Sequence, residues 1–188
     1  MKIIRTDIPD VLIIEPTVFS DDRGWFMESF NEKVFANKLE GLGLPAAGSF
    51  VQDNHSFSKR GVLRGLHYQE APHAQGKLVR VLQGAAYDVA IDLRKNSATY
   101  LKWVGVELSK LNNRMLWIPE GFAHGFLALE DGTEFFYKTT DCYNKSSERS
   151  LRWDDEVFKI NWPQVDSLII SEKDKNAPLY SSLVDGAS

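Results

Sequence analysis

Residues 87–93 read YDVAIDL, and the spacing of their side chains decides the class of fold. Large apolar side chains occupy every second position from Tyr87 to Leu93, and Asp88, Ala90 and Asp92 lie between them. This period of two is typical of a strand with one buried face. Similar segments recur about every 8–12 residues, with glycine in the turns between them. The pattern predicts an all-β antiparallel sandwich or barrel, with residues 1–188 forming one domain.

One segment has helical rather than strand spacing. In residues 31–43, NEKVFANKLEGLG, apolar side chains recur at three- and four-residue intervals. Asn31 can cap the start of this helix and Gly41 can end it. The tail after Leu151 contains Pro163 and Pro178 and is expected to be irregular.

Composition narrows the class of function. The 188 residues carry a net charge of −4, which argues against a general nucleic-acid or anionic membrane surface. No segment approaches the ~20 apolar residues of a membrane helix, and the N-terminus does not read as a signal peptide. The single cysteine, Cys142, excludes an intrachain disulfide framework. We therefore expect a cytoplasmic protein.

Two motifs contain histidines at positions that could serve a metal. Residues 61–69, GVLRGLHYQ, place Gln69 two positions after His67, where a second imidazole would complete a clamp. Residues 118–126, IPEGFAHGF, place His124 at the start of a strand. Together the motifs resemble the pattern of the cupin (jelly-roll) superfamily, but Gln69 replaces a ligand and no acidic ligand follows. We expect no metal, and we read His55 and His73 as ordinary structural or solvated imidazoles.

Cations cluster around His67. Arg64, His67 and Lys77 lie in or beside two successive strands that otherwise read as core. Placing unpaired cations near a protein interior is costly unless an anion arrives. The interior is therefore expected to accept a negatively charged ligand.

Several longer motifs make a more specific resemblance, from about Ile8 to Asp174. The residues that carry the resemblance are DDRGWFMESFN (21–31), FVQDNHSFSKRGVLRGLHYQ (50–69), QGKLVRVLQG (75–84), DVAIDLRKNS (88–97), WIPEGFAHGFLAL (117–129), YKTTDCY (137–143) and LIISEKD (168–174). In these motifs the chain resembles the dTDP-4-dehydrorhamnose 3,5-epimerase family, cupin-fold enzymes of dTDP-L-rhamnose synthesis.

The resemblance implies a chemistry that needs neither a cofactor nor a metal. The substrate is a dTDP-linked 4-keto-6-deoxyhexose, whose C3 and C5 protons are acidified by the C4 ketone. By resemblance, His67 is the base, Asp174 orients it, and Tyr137 is the acid on the opposite face. Lys77 is expected near the ketone or enolate oxygen.

The resemblance also implies a set of substrate-binding residues. Arg23 and Arg64 would face the diphosphate, and Tyr143 could stack on thymine near Phe26 and Glu28. Family members are homodimers that exchange N-terminal strands, so Arg23, Phe26 and Glu28 are expected to serve the neighbouring subunit. The remaining contacts to sugar and nucleotide would come from Gln52, Asp53, Asn54, His124, Glu148 and Lys173.

Other interpretations remain open at this point. Without the resemblance, Tyr137 reads as core, Asp174 as part of a solvated turn, and Lys77 as a lysine on a strand edge. A related enzyme that epimerises only C3 or only C5 would use the same base and acid. A non-catalytic sugar-nucleotide-binding cupin would not need His67, Tyr137 or Asp174. A metal-dependent cupin oxygenase is opposed by Gln69.

Overall fold

The computed structural model describes residues 1–185, which contain fourteen strands and three helices. The strands are β1 (Lys2–Arg5), β2 (Leu12–Glu15), β3 (Val18–Asp21), β4 (Gly24–Met27), β5 (Gln52–Ser58), β6 (Val62–Gln69), β7 (Lys77–Gln83), β8 (Ala85–Asp92), β9 (Trp103–Ser109), β10 (Met115–Ile118), β11 (Phe122–Ala128), β12 (Thr133–Thr139), β13 (Glu148–Ser150) and β14 (Ile169–Ile170). The helices are α1 (Glu32–Gly41), α2 (Glu172–Lys175) and α3 (Tyr180–Asp185). No helix in this described part is long and apolar enough to cross a membrane.

The strands form two main sheets and one separate hairpin. Sheet 1 has the order β1-β2-β10-β7-β12-β5, and sheet 2 has the order β13-β6-β11-β8-β9. Neighbours within each sheet are antiparallel, while the short β14 pairs in parallel with β6. The β3–β4 hairpin pairs with neither sheet within residues 1–185. The predicted all-β antiparallel sandwich is confirmed.

The central core lies between the two sheets. Phe126 from sheet 2 stacks on Phe135 from sheet 1, with ring centroids 4.1 Å apart and rings nearly parallel. Both side chains are buried among the aliphatic residues of the other strands. Such an aromatic contact fixes how the two sheets meet, because interiors are packed as densely as organic crystals.

Both sheets are also covered on their outer faces. On sheet 1, α1 buries Phe35 and Leu39 against Trp117, with the Phe35 and Trp117 rings 5.3 Å apart. The predicted cap is confirmed, since Asn31 Oδ1 accepts a hydrogen bond from the Val34 amide at 3.1 Å. The helix reaches Gly41, as predicted, with Leu42 as its C-cap.

The strand that contains YDVAIDL is buried on both faces, so the prediction of a half-buried strand was wrong. Its large apolar side chains, including Val89 and Ile91, pack outward against Leu151 and Phe158 of the C-terminal tail. Its other face, including the fully buried Asp88, points into the sandwich. The period of two correctly separates the two faces of the strand. The apolar face is buried, as expected, but it packs against the C-terminal tail. The face that was expected to meet solvent is buried inside the sandwich.

The tail is more regular than expected. Ser171 caps α2, because its side chain accepts a hydrogen bond from the Asp174 amide at 3.1 Å. This cap and the short β14 fix the segment beside β6, and α3 follows. The prediction of an irregular tail was therefore wrong for α2, α3 and β14.

A bulge in β6 allows Arg64 and His67, which are three positions apart, to line the same cavity. His124 of β11 pairs with His67, and Phe126 pairs with Arg64. A step of three positions along β6 therefore matches a step of two positions along β11. Gly65 lies in this bulge with a φ of 120°, and a Cβ there would come within 2.6 Å of Gly125 Cα. The glycine is required both by the backbone conformation and by the close approach of β11.

Candidate active site

A cavity of about 690 Å³ is lined by residues of both sheets. Sheet 1 contributes β5, β7 and β12, and sheet 2 contributes β6, β11 and β13, with β14 and α2 along one side. The polar and titratable side chains of its lining are those of Asn54, His55, Ser56, Arg64, His67, Tyr68, Gln69, Gln75, Lys77, His124, Tyr137, Tyr143, Glu148, Ser171, Lys173 and Asp174.

His67 and Asp174 form a hydrogen-bonded pair at the wall formed by sheet 2. His67 Nε2 lies 2.7 Å from Asp174 Oδ1, and the Gly65 amide donates to Asp174 Oδ2 at 3.2 Å. The carboxyl side chain is only 5% exposed while the imidazole is 33% exposed. Asp174 therefore holds the ring from behind, and the ring itself faces the cavity. Asp174 does not lie in a solvated turn.

The environment keeps the Asp174 carboxyl ionised. Burial alone would raise its pKa, but the hydrogen bond and charge of His67, with further hydrogen bonds from Gly65 and Ser171, lower the pKa overall. An ionised carboxylate can stabilise a proton on the imidazole that it contacts. The pair therefore has the arrangement of a base and its orienting group.

Lys77 lies inside the sandwich and not at a strand edge, so the strand-edge reading is wrong. β7 lies between β10 and β12, and the Lys77 side chain is buried. Its Nζ lies 3.4 Å from the His67 carbonyl oxygen. Burial lowers the pKa of Lys77 to about 8, against the charges of Asp88 and Glu148, which raise it. A buried ammonium of this kind is suited to stabilising negative charge that develops on a nearby oxygen.

His124 and Asp88 make a second histidine–carboxylate pair, deeper than the first. His124 Nε2 lies 2.8 Å from Asp88 Oδ2, and both residues are buried. Burial raises the pKa of Asp88, although His124 and Lys77 act in the opposite direction. Sequence reasoning missed Asp88 because it read the position as the solvent face of a half-buried strand.

Tyr137 reaches the cavity from the wall opposite His67. It lies on β12 of sheet 1, whereas His67 lies on β6 of sheet 2. Burial raises the pKa of Tyr137, with a smaller opposing effect from the charge of Arg64. The phenol is thus kept protonated, and it packs beside the central core at Phe135 without being sealed in it.

Charged residues and an aromatic ring form the rim. Lys173 Nζ lies 2.8 Å from Glu148 Oε1, and Tyr143 Oη donates to Glu148 Oε2 at 3.2 Å. Burial would raise the pKa of Glu148, but the hydrogen bond from Lys173 and the positive charge of that lysine lower the pKa overall. Tyr143 is exposed above the cavity, where a flat ligand could stack on it.

Arg64 on β6 and Asn54 on β5 line the cavity from opposite sheets. Arg64 Nε donates to Ser58 Oγ at 3.2 Å, and one terminal nitrogen donates to the Phe57 carbonyl at 3.2 Å. Several guanidinium donors remain, because the group has five N–H bonds. Asn54 Oδ1 accepts a hydrogen bond from Gln52 Nε2 at 2.9 Å.

Five of the predicted residues do not line the cavity of a single chain. Arg23, Phe26 and Glu28 lie in or beside the β3–β4 hairpin, where Arg23 pairs with Asp21. The fourth, Gln52, supports the rim from beneath, because its Oε1 accepts the Tyr143 amide at 2.9 Å.

The fifth residue, Asp53, faces outward. Its carboxylate pairs with Lys138 Nζ at 2.8 Å. Strand alternation explains this position, since Asp53 lies between two residues of β5 that point the other way.

Several lining residues were not identified from sequence. His55 was read as structural, yet it borders the cavity, half exposed and 3.2 Å from Glu134 Oε2. Tyr68 and Gln75 also contribute. Single polar side chains in strands and loops give little local indication of a site, because most such residues lie on the exposed surface of a protein.

Within residues 1–185, no group of three or more His, Cys, Asp or Glu side chains is arranged to hold a metal ion. His67 and His124 are instead each hydrogen-bonded to one carboxylate. His73, predicted to be solvated, is half exposed and pairs with Asp141 at 2.9 Å.

Comparisons with known proteins give a consistent result. Residues 5–182 match the family model for dTDP-4-dehydrorhamnose 3,5-epimerase. Among the most similar curated relatives, the dTDP-4-dehydrorhamnose 3,5-epimerase of Shigella flexneri is 58% identical over 96% of both chains.

Solved structures show the same likeness. A dTDP-6-deoxy-D-glucose-3,5-epimerase from Legionella pneumophila, in complex with dTDP-4-keto-L-rhamnose, has 47% identity and a TM-score of 0.90 over 99% of this chain and 95% of its own. A 3'-monoepimerase from Streptomyces bikiniensis, in complex with dTDP-quinovose, shares the fold at 29% identity, with a TM-score of 0.88 over 97% and 90% of the two chains. The fold is the cupin-type jelly roll that the sequence predicts, and the chain belongs to the dTDP-4-dehydrorhamnose 3,5-epimerase family.

Proposed function

We propose that this protein epimerises C3 and C5 of dTDP-4-dehydro-6-deoxy-D-glucose, giving dTDP-4-dehydro-L-rhamnose for dTDP-L-rhamnose biosynthesis. The observation that carries the proposal is the placement of His67 and Tyr137 on opposite walls of one cavity. Inversion at carbon requires a base on one face and an acid on the other. Removal of a proton next to the C4 ketone gives an enolate, and the buried ammonium of Lys77 between the sheets can stabilise its negative charge.

In the proposed mechanism, His67 removes the proton from a carbon next to the C4 ketone. The electron pair of the C–H bond moves to the ketone oxygen, where the Lys77 ammonium stabilises the enolate. Asp174 stabilises the imidazolium. Tyr137 then donates its phenolic proton to the opposite face of the carbon, and the ketone is restored. Proton exchange with solvent returns His67 and Tyr137 to their starting states, and the cycle repeats at the second carbon.

The nucleotide end of the substrate fits the rim. Arg64 supplies a guanidinium for the diphosphate, and Tyr143 supplies a ring for thymine, while Glu148, Lys173, Asn54 and His124 supply polar contacts. No cofactor enters this scheme.

The high identity to 3,5-epimerases favours action at both carbons over action at one. Solvent deuterium exchange, read by NMR in D₂O, tests this. Deuterium should enter both C3 and C5, with inversion at each. Exchange and inversion at one carbon alone would make the protein a single-position epimerase.

We further propose that residues 1–188 form one domain, which works as a cytoplasmic homodimer in which the β3–β4 hairpin serves the neighbouring cavity. Phe19, Trp25 and Phe26 of this hairpin are 63%, 60% and 70% exposed. An isolated two-stranded hairpin is marginal in water, so these aromatic side chains favour a partner surface. The exchange would bring Arg23, Phe26 and Glu28 to the partner's site.

Subunit complementation tests the exchange. An inactive His67→Ala chain and an inactive Arg23→Ala chain are mixed under conditions that allow the subunits to exchange. If the hairpin serves the neighbour, one site in each mixed dimer has both wild-type residues and activity returns. No recovery in dimers shown to be mixed would place Arg23 at the site of its own chain.

A further inference from the structure

Gln69 stands where a second imidazole would complete a metal clamp, and its buried amide makes three contacts to backbone atoms. Gln69 Nε2 donates to the carbonyls of His73 at 2.6 Å and Cys142 at 3.2 Å. Gln69 Oε1 accepts a hydrogen bond from the Asn144 amide at 2.8 Å. These partners fix the orientation of the amide, since a flip would place oxygen against two carbonyls. Both N–H bonds are used within the protein, so the side chain has no donor left for a ligand.

The three partners lie in two loops that are distant in sequence. His73 belongs to the β6–β7 loop, residues 70–76, and the others belong to the β12–β13 loop, residues 140–147. Further hydrogen bonds join the loops, among them those from His73 Nδ1 to Asp141 Oδ2 at 2.9 Å, from Gln75 Nε2 to the Asp141 carbonyl at 2.8 Å and from the Glu70 amide to the Ser147 carbonyl at 2.9 Å. Gln69 is the buried member of this set, at 5% exposure.

The β12–β13 loop carries the aromatic residue of the rim. Tyr143 lies one residue after Cys142 and one before Asn144, so Gln69 binds the backbone on both sides of it. The Tyr143 side chain is itself exposed, and its only described hydrogen bond is to Glu148. Its position over the cavity therefore depends on the backbone beneath it.

We propose that Gln69 is a positioning residue that fixes the β12–β13 loop, and with it Tyr143, for binding the nucleotide end of the substrate. This rests on the proposed function, in which Tyr143 meets the base. Gln69 acts through the loop and does not touch the reacting carbons. Its loss should weaken nucleotide binding and leave the chemical step in place, because an unfixed loop must be ordered when ligand binds.

Two variants of Gln69 test the proposal, with dTDP as the probe. Gln69→Leu keeps most of the side-chain volume and removes all three hydrogen bonds. The Kd for dTDP, measured by calorimetry, should rise about tenfold or more. KM should rise in step, while kcat for deuterium exchange at saturating substrate stays within about threefold. Gln69→Glu should bind dTDP poorly at pH 8 and better as the pH falls, because a protonated carboxyl regains one donor.

Control variants separate positioning from general damage. Gln83→Leu makes the same change at an exposed site on β7 and should leave Kd and KM unchanged. Asn144→Ala removes the turn contacts that Asn144 Oδ1 makes to Ser146 and Ser147, so it loosens the same loop without altering the Gln69 side chain. It should raise the Kd for dTDP, and its effect should not add to that of Gln69→Leu.

A folded Gln69→Leu variant with the wild-type Kd for dTDP would overturn the proposal, as would a loss of kcat at unchanged KM. If Gln69→Leu does not fold, Gln69→Glu decides instead, and a wild-type Kd for dTDP in that variant at pH 8 overturns the proposal. These binding results are independent of the reaction. Absence of exchange at C3 and C5 in the wild-type protein would defeat the proposed function and leave the dTDP comparison to decide the role of Gln69.

Discussion

Replacing Lys77 by Met should make the unliganded protein more stable and much less active. Lys77 is buried, and burial lowers its pKa from the usual 10.5 to about 8. The folded state therefore binds this proton less tightly than the unfolded state does, so below pH 8 the charged lysine opposes folding. The gap of about 2.5 pH units, at about 1.36 kcal/mol per unit, comes to about 3 kcal/mol. Methionine fills similar volume and carries no charge, so it should recover up to about this amount.

The sign of the pH dependence follows from the same pKa. Between pH 8 and 10.5 the unfolded chain still holds the proton that the folded protein has lost. The free energy of unfolding contributed by Lys77 therefore rises across this window and is level on either side. Urea denaturation at pH 7 and at pH 10 measures it, with Lys77→Met against wild type. The stabilising effect of methionine should be large at pH 7 and smaller at pH 10.

Activity should change in the opposite direction. Loss of one preorganised donor to an oxyanion commonly costs about 10²–10³-fold in kcat. Lys77→Met should show a loss of this size in deuterium exchange at saturating substrate. A variant that is less stable than wild type at pH 7, or one that keeps wild-type kcat, would refute the assignment of a destabilising, catalytic ammonium to Lys77.

Three further outcomes are expected from the site. Activity should survive exhaustive EDTA treatment, because Gln69 stands in place of a second ligating imidazole; loss on chelation with recovery on adding zinc, iron or manganese would disprove this. Arg64→Ala should weaken binding of the dTDP-sugar by one to two decades in a salt-sensitive way, since a charge-assisted hydrogen bond is worth about 1.5–3 kcal/mol, and an unchanged Kd would remove Arg64 from the diphosphate site. Asp174→Asn removes the negative charge that lies 2.7 Å from His67 Nε2. It should slow deuterium exchange by about 10–150-fold, which is a smaller loss than that expected for His67→Ala. Exchange at the wild-type rate would contradict the orienting role of Asp174.

The sequence predicts the strands well because their local period survives in the folded protein. It does not predict which face of a strand is covered when the cover comes from a distant segment. Val89 and Ile91 pack against the tail around Phe158, and this leaves Asp88 inside the sandwich beside His124. No local pattern could reveal this arrangement, since an acid in a period of two is typical of a solvent face.

The site is less accessible to local reasoning than the fold. His67 and Asp174 are 107 residues apart and meet only through the pairing of β14 with β6 and the cap of α2, so only the family resemblance identified the pair. Arg64 and His67 share the cavity despite an odd spacing, because a bulge at Gly65 shifts the strand by one residue. Arg64 and Lys77 were predicted near an interior anion site from charge alone, and both line the cavity.

His67 and Tyr137 are expected to act on opposite faces of the sugar, and one NMR experiment with two variants decides whether they do. His67→Ala and Tyr137→Phe are each incubated with the keto-sugar in D₂O, and deuterium at C3 and C5 is measured together with inverted product. His67→Ala should lose exchange at both carbons, because no enolate forms. Tyr137→Phe should still exchange deuterium on the His67 face, while inversion falls by about 10²–10⁴-fold. Full exchange in a folded His67→Ala protein, or undiminished inversion in Tyr137→Phe, would contradict the claim.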